Sequence, residues 1–328
     1  MSKKLEKVKE RVLKTGYPLE LEVIDELKSH GWEVMASTNY FDEDEGKWRE
    51  LDVKAYRKIE FGEVECAPEW SYALDLTLVI QCKKSEKFAW VFFPAEGKDD
   101  LWIRYIDFLK VARTQSLAAR DPSSTRRHRI LGIGKSILME PPLLNEEIAR
   151  QIKWLGEIAP FGFKDFKSFA NKEIATIGTV VPLGGKGKAP NELFEAAATA
   201  TKATVYELEL ISDYHHAAIS LFQAQEKEGF KPRLSINIVL PVIVFDGTLC
   251  MWRGKDKELE EVNHVVYAFN YRSLCYFGEY TINVLTKDQF PIFLEELEKD
   301  QESLCLRFKE KTHELDEQVR LFLTGKFL

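Results

Sequence analysis

The feature that most constrains the fold is an apolar run that ends abruptly in polar residues. Residues 76–80 read Leu-Thr-Leu-Val-Ile, which is typical of a buried strand, and the chain continues directly into Gln81, Cys82 and Lys83. Because strand side chains alternate between two faces, we expect Gln81 and Lys83 on one face and Cys82 on the other. The pattern indicates either a polar site at the end of a buried strand or a strand that leaves the core into solvent.

The elements around this strand predict a helix followed by a meander of strands. Hydrophobic periodicity indicates a helix over 19–30 and strands near 32–40, 51–56 and 76–83. A further extended segment over 88–93 ends at Pro94, and an amphipathic helix is expected over 101–118. The first 95 residues therefore resemble the first half of an α/β core.

The second half of the chain contains the elements that would complete a sheet. A long helix is predicted over 191–227, and the apolar strand after it contains Pro241, which we expect to mark a bulge or a break. The strands are predicted over 234–245, 265–271 and 280–285. The predicted organisation has four parts: the N-terminal part of the core (1–95), an insertion or second lobe (96–190), the completion of the core sheet (191–287) and C-terminal helices (288–328).

Glu20 lies on the apolar stripe of the first predicted helix. Val23, Ile24 and Leu27 follow it at helical spacing, so its carboxylate should point toward the sheet. An acidic residue near a helix N-terminus also interacts favourably with the helix dipole, so Glu20 by itself indicates either a site or a simple helix start.

Asp52 lies in the second predicted strand. Leu51, Val53 and Ala55 alternate with it, which predicts that Asp52 leaves the backbone on the face opposite these apolar residues. Aspartate is poorly suited to strands and is often a surface or edge residue, so this residue alone is also ambiguous.

The combination of these residues resembles the PD-(D/E)xK nuclease superfamily, and specifically the Mrr-like restriction endonucleases, in which the third motif can read Gln-x-Lys. The resemblance covers roughly the first 95 residues. It is carried by Leu19-Glu20, Gly31-Trp32, Glu50-Leu51-Asp52, Gln81-Cys82-Lys83 and Ala89-Trp90-Val91-Phe92. Two departures are that no proline precedes Asp52 and that Gln81 removes a negative charge from the site.

The resemblance implies a restriction-endonuclease-like core, in which helices flank a mixed central sheet, and a metal-dependent endonuclease with Glu20, Asp52, Gln81 and Lys83 as catalytic residues. Mg²⁺ or Mn²⁺ would take oxygen ligands from the Asp52 carboxylate, the Gln81 side-chain carbonyl and the Cys82 backbone carbonyl, with Glu20 acting through a water. Lys83 would orient the attacking water or stabilise charge on the phosphate. The implied role is in restriction, defence or repair.

The charge distribution limits how the chain could bind nucleic acid. The net charge of −7 argues against wholesale coating of a phosphate backbone. Residues 101–140, however, contain eight Lys or Arg side chains against three acidic ones, which indicates either a nucleic-acid contact or a solvated helix face. The candidate contact residues are Arg113, Arg120, Arg126, Arg127, Arg129 and Lys135.

Other sequence features bear on location and partners. The five cysteines form no CxxC pair, and the chain has neither a leader-like start nor an apolar run of about 18 residues, so we expect a cytoplasmic protein that does not enter a membrane. DNA is the expected substrate, with RNA as the alternative, and the charged C-terminal helices suit a homodimer or a partner protein. The alternative function is a catalytically inactive nuclease-fold protein that binds nucleic acid or a protein partner.

Overall fold

A computed structural model describes most of the chain. The described residues are 3–13, 15–65, 67–94, 168, 172–184, 190–224, 233–254, 258–310, 312–313 and 316. The helix expected over 101–118 lies outside these residues, as do the six basic residues between Arg113 and Lys135.

The described segments form helices and strands in the following order. They are α1 (Lys3–Leu13), α2 (Tyr17–Ser29), β1 (Glu33–Asp42), β2 (Lys47–Val64), β3 (Ala67–Lys84), β4 (Phe88–Pro94), β5 (Glu173–Pro182), α3 (Glu192–Ala224), β6 (Arg233–Asp246), β7 (Leu249–Arg253), β8 (Glu258–Glu261), β9 (His264–Arg272), β10 (Phe277–Thr286), a 3₁₀ turn (Lys287–Gln289) and α4 (Phe290–Glu310). Helix α2 begins two residues before the predicted start because Pro18 is accommodated in the first turn, where its missing N–H costs no bond.

The strands of the described segments form one ten-stranded mixed sheet in the order β1-β2-β3-β6-β10-β9-β5-β4-β7-β8. Strands β3, β6 and β10 run parallel to one another, so their carboxyl ends lie at the same edge of the sheet. On the outer side of β3, the strands β1 and β2 add as an antiparallel pair. The predicted class, a mixed α/β protein with helices flanking a large sheet, is confirmed.

Helices cover the two faces of this sheet. On one face, buried side chains of α2 and α4, including Leu27 and Phe293, pack against β2, β3 and β6. On the other face, Leu193, Ala196 and Ala197 of α3 pack against β4, β6 and β9. In the part of the chain that the structure describes, the sheet therefore lies between helices, and the two largest apolar clusters are called the α2 core and the α3 core.

The sequence did not predict α1, β5, β7 or β8. Strand β5 falls in the segment expected to form an insertion or second lobe, and it pairs with β4 and β9 of the main sheet. Strand β8 consists of Glu-Leu-Glu-Glu, and all four residues are exposed, which is typical of a charged edge strand that discourages further pairing. Short or edge strands such as these have little hydrophobic periodicity, so the pattern does not reveal them.

The expectation of a bulge or break at Pro241 is wrong. Strand β6 continues through Pro241, which lies opposite Val79 of β3 with no shift in register. The ladder between β6 and β10 begins only at Val242. Pro241 is tolerated because it lies where the second edge of β6 is not yet paired, so its lack of an N–H costs nothing on that side.

Candidate functional site

Strands β2 and β3 diverge at Asp52, forming a gap that we call the fork. Their ladder runs as far as the pair Val53 and Ile80. Beyond it, the backbone N–H of Cys82 donates to Oδ2 of Asp52 at 2.7 Å. The Asp52 carboxylate thus replaces the backbone carbonyl that a continuing β2 would have offered. Strand β3 continues to Lys84, paired with β6 alone.

Side-chain alternation on β2 is interrupted at the fork. Leu51 packs with Val79 beneath α3, whereas Val53 and Ala55 lie in the α2 core. Ser37 of β1 lies opposite Asp52, and the residues before and after it are paired with β2. Its φ is positive, at 47°. A residue in the left-handed conformation bends the strand pair locally. The side chains of β2 on the two sides of this position therefore do not follow the regular alternation between faces.

This interruption corrects one prediction. Leu51 does not share a face with Val53 and Ala55, and Asp52 does not simply stand on the opposite face of a regular strand. Its carboxylate instead reaches the backbone of β3 at the fork.

Gln81 and Lys83 share one face of β3, as predicted. Their parallel partners on β6 are Ile243 and Phe245, and both belong to the α3 core. Cys82 lies on the opposite face in the α2 core. Gln81 is only 3% exposed, and within the described part of the chain its Nε2 has no hydrogen-bond partner. A buried amide without a partner is costly, so this residue calls for an explanation.

Glu20 lies in the first turn of α2, where the stripe of Val23, Ile24 and Leu27 is buried as expected. Partial burial raises the pKa of Glu20, and the negative charges of Asp52 and Glu50 raise it further. The positive charge of Lys83 acts in the opposite direction. Glu20, Asp52 and Lys83 therefore interact electrostatically, although they come from three different elements.

Asp52 has a similar electrostatic environment. Burial raises its pKa, while the hydrogen bond from Cys82 and the charge of Lys83 oppose that shift. Glu50 adds a further negative charge that raises the pKa of Asp52. The fork thus concentrates carboxylates that are unfavourable as anions unless a cation compensates them.

Glu50 and Glu192 are not among the site residues predicted from the sequence. Glu192 lies in the first turn of α3 and is partly buried, which raises its pKa, and the charge of Lys83 opposes this shift. Glu50 could have been suspected because it belongs to the motif around Asp52. No local pattern marks Glu192, because its proximity to Lys83 depends on how α3 packs across β3 and β6.

The donor groups at the fork suit a hard divalent cation, which prefers carboxylate, amide and backbone carbonyl oxygens. Asp52 and Glu20 offer carboxylates, and Gln81 offers a buried amide. Among the described residues, no group of three or more His, Cys, Asp or Glu side chains is already assembled to hold a metal ion. The metal site implied by the sequence therefore stays a prediction.

The fold and site define a mixed α/β protein in which acidic side chains interact electrostatically with a lysine at the carboxyl end of a buried strand. Comparison with known proteins adds no relative: no family model matches the chain, and neither a curated protein nor a solved structure matches it significantly. No helix in the described ranges is both long and apolar enough to span a membrane.

Proposed function

We propose that this protein is a metal-dependent endonuclease that hydrolyses phosphodiester bonds of DNA at the fork, on a restriction-endonuclease-like core. The observation that carries the proposal is the placement of Asp52. Its carboxylate is anchored at the divergence of two strands by the Cys82 N–H, within electrostatic reach of Glu20 and Lys83. Ligands of open α/β sheets commonly bind outside the carboxyl ends of parallel strands, which is where Lys83 lies.

The residues at the fork would divide the work as follows. Asp52, the Gln81 side-chain carbonyl and the Cys82 backbone carbonyl would hold Mg²⁺ or Mn²⁺, and Glu20 would accept a hydrogen bond from a water. A bound divalent cation would supply a lowered water pKa and charge neutralisation at the phosphate. Lys83 would donate to the attacking water or to a phosphate oxygen, where negative charge grows during the reaction.

A second candidate is a nuclease-fold protein that has lost catalysis and binds nucleic acid or a protein partner. The neutral Gln81 favours it, because an amide holds a divalent cation less strongly than a carboxylate does. The net charge of −7 favours a local contact or a protein partner over extensive binding to a phosphate backbone.

One assay tests the proposed activity. The purified protein is incubated with supercoiled plasmid, single-stranded DNA and RNA in the presence of Mg²⁺ or Mn²⁺. Asp52→Asn keeps the size of the side chain and an acceptor for the Cys82 N–H, and we expect it to reduce cleavage by about 100-fold or more. Lys83→Ala should have a comparable effect.

Lys84→Ala is the matched control, because Lys84 is the next lysine on β3 and pairs with Asp246 at 3.0 Å rather than with the fork carboxylates. It should leave cleavage close to wild type. Cleavage that survives both Asp52→Asn and Lys83→Ala would refute the assignment. Binding of DNA without any cleavage would favour the second candidate.

A further inference from the structure

Helix α1 places an apolar stripe on the protein surface. Leu5, Val8 and Val12 are three and four residues apart and so share one face of the helix, which we call the α1 stripe. These side chains are between 47% and 57% exposed, and residues 4–9 and 11–13 of α1 are all exposed. Helices as short as α1 are marginal by themselves in water, and in proteins the packing of an apolar face usually stabilises them. The α1 stripe is therefore a candidate docking surface.

The charges of α1 indicate what kind of surface it would meet. At the spacing of helical residues, Lys4 and Arg11 border one side of the α1 stripe and Lys9 borders the other. The helix contains five Lys or Arg residues against two Glu residues, a net charge of +3. The whole chain, in contrast, has a net charge of −7. A surface that complements α1 would be both apolar and acidic.

The outer face of α2 has both properties. Tyr17, Leu21 and Asp25 follow one another at four-residue spacing and form one ridge, beside which Glu22 lies. Tyr17 and Leu21 are 61% and 60% exposed, and both acidic residues are exposed as well. Helix α2 contains four acidic residues against one lysine, a net charge of −3. The two helices are also similar in length, at about 17 Å for α1 and about 20 Å for α2.

We propose that this protein forms a homodimer in which α1 of each copy docks on the outer face of α2 of the other copy. Within one chain the two surfaces do not bury each other, because the α1 stripe and the apolar residues of the α2 ridge are all exposed. Exchange of α1 between two copies would cover both surfaces, and a twofold axis would repeat the contact. The inference goes beyond the proposed function and does not depend on it.

Other anionic partners complement α1 less well. A phosphate backbone would attract the basic residues, but it offers no apolar surface to cover Val8 and Val12. An anionic bilayer would cover an apolar stripe with basic borders. It would also repel the acidic outer face of α2, which begins only three residues after α1 ends. A second copy of the chain provides an apolar surface and the opposite charge together.

Sedimentation equilibrium of the purified full-length protein tests the dimer. Val8→Asp places a charge within the proposed apolar contact, and we expect it to weaken dimerisation by about 10-fold or more. Leu306→Asp is the matched control, because Leu306 is an exposed apolar residue on a different helix, α4. It should change the dissociation constant by less than about 2-fold, as is usual for a surface substitution outside a contact. Thermal unfolding checks that both variants fold.

A charge exchange tests the pairing of α1 with α2. One variant reverses α1 with Lys9→Glu and Arg11→Glu, and the other reverses α2 with Glu22→Lys and Asp25→Lys. Each variant alone should dimerise at least about 10-fold more weakly than the wild type, because like charges then face each other. An equimolar mixture should recover most of the dimer, because each reversed helix meets one of opposite charge.

Several results would overturn the inference. They are a wild type that stays monomeric at every concentration, a loss from Leu306→Asp that equals or exceeds the loss from Val8→Asp, and a mixture that recovers no dimer. A monomeric wild type that binds a short DNA duplex or vesicles containing phosphatidylserine, and loses this binding in Val8→Asp, would assign α1 to that partner instead.

Discussion

Acidification should destabilise this protein through one buried histidine, His264. The side chain lies at the start of β9, where its Nε2 is 3.1 Å from Oδ1 of Asn283 and its ring packs edge-on against Phe293. Burial lowers the pKa of His264 to about 3, and the nearby charge of Lys172 acts in the same direction. The folded protein therefore holds this imidazole neutral at pH values where an exposed histidine would bind a proton.

The sign of the effect follows from proton linkage. Between the unfolded pKa of about 6.5 and the folded pKa of about 3, the unfolded chain binds a proton that the folded chain does not. The contribution of His264 to stability is fully present above about pH 6.5 and is lost progressively as the pH falls toward 3. A pH of about 5 lies roughly 1.5 units below the unfolded pKa, and each unit corresponds to about 1.4 kcal/mol. At that pH the free energy of unfolding is therefore about 2 kcal/mol lower than above pH 6.5.

Urea unfolding of the wild type and of His264→Gln, measured between about pH 5 and pH 8, tests this prediction. Glutamine retains polar groups that can meet Asn283, so the comparison uses the dependence on pH and not the stability at one pH. The wild type should lose about 2 kcal/mol more than His264→Gln over this range. The exposed His313→Gln is the control and should follow the wild type. Equal pH dependence in all three proteins would refute the reasoning.

Two further predictions concern a buried ion pair and a closely packed glycine. Lys202→Met should lower the free energy of unfolding by about 3–5 kcal/mol, because Asp42 is 2% exposed and would lose the ammonium group that lies 2.9 Å from its Oδ2. Urea unfolding measures this loss. A loss below about 1 kcal/mol would contradict the prediction, because it is typical of an ion pair that solvent screens. Gly247→Ala should cost about 1–3 kcal/mol, because its Cβ would lie 2.7 Å from the backbone oxygen of Ser85. Gly184→Ala, whose Cβ would meet nothing within 4 Å, is the control, and an equal thermal shift in both variants would contradict the prediction.

Local periodicity determined the elements on which the proposed site is built. The apolar stripe of α2 predicts that Glu20 faces the sheet, and the two-residue period of β3 places Gln81 and Lys83 together. Both predictions depend only on neighbours within a few residues. The mixed α/β class also follows from this level, since long helices and apolar strands alternate along the chain.

Contacts between distant segments decided the rest. The direction of Asp52 depends on Ser37 of the neighbouring strand and on the fork between β2 and β3, which no pattern within β2 contains. The approach of Glu192 to Lys83 depends on the packing of α3 against β6. Periodicity within a segment therefore predicts the strongly patterned elements and the direction of their regular side chains, because those properties are local. Which carboxylates come within electrostatic range of Lys83 depends on strand pairing and helix packing, because these join residues that are far apart in the chain.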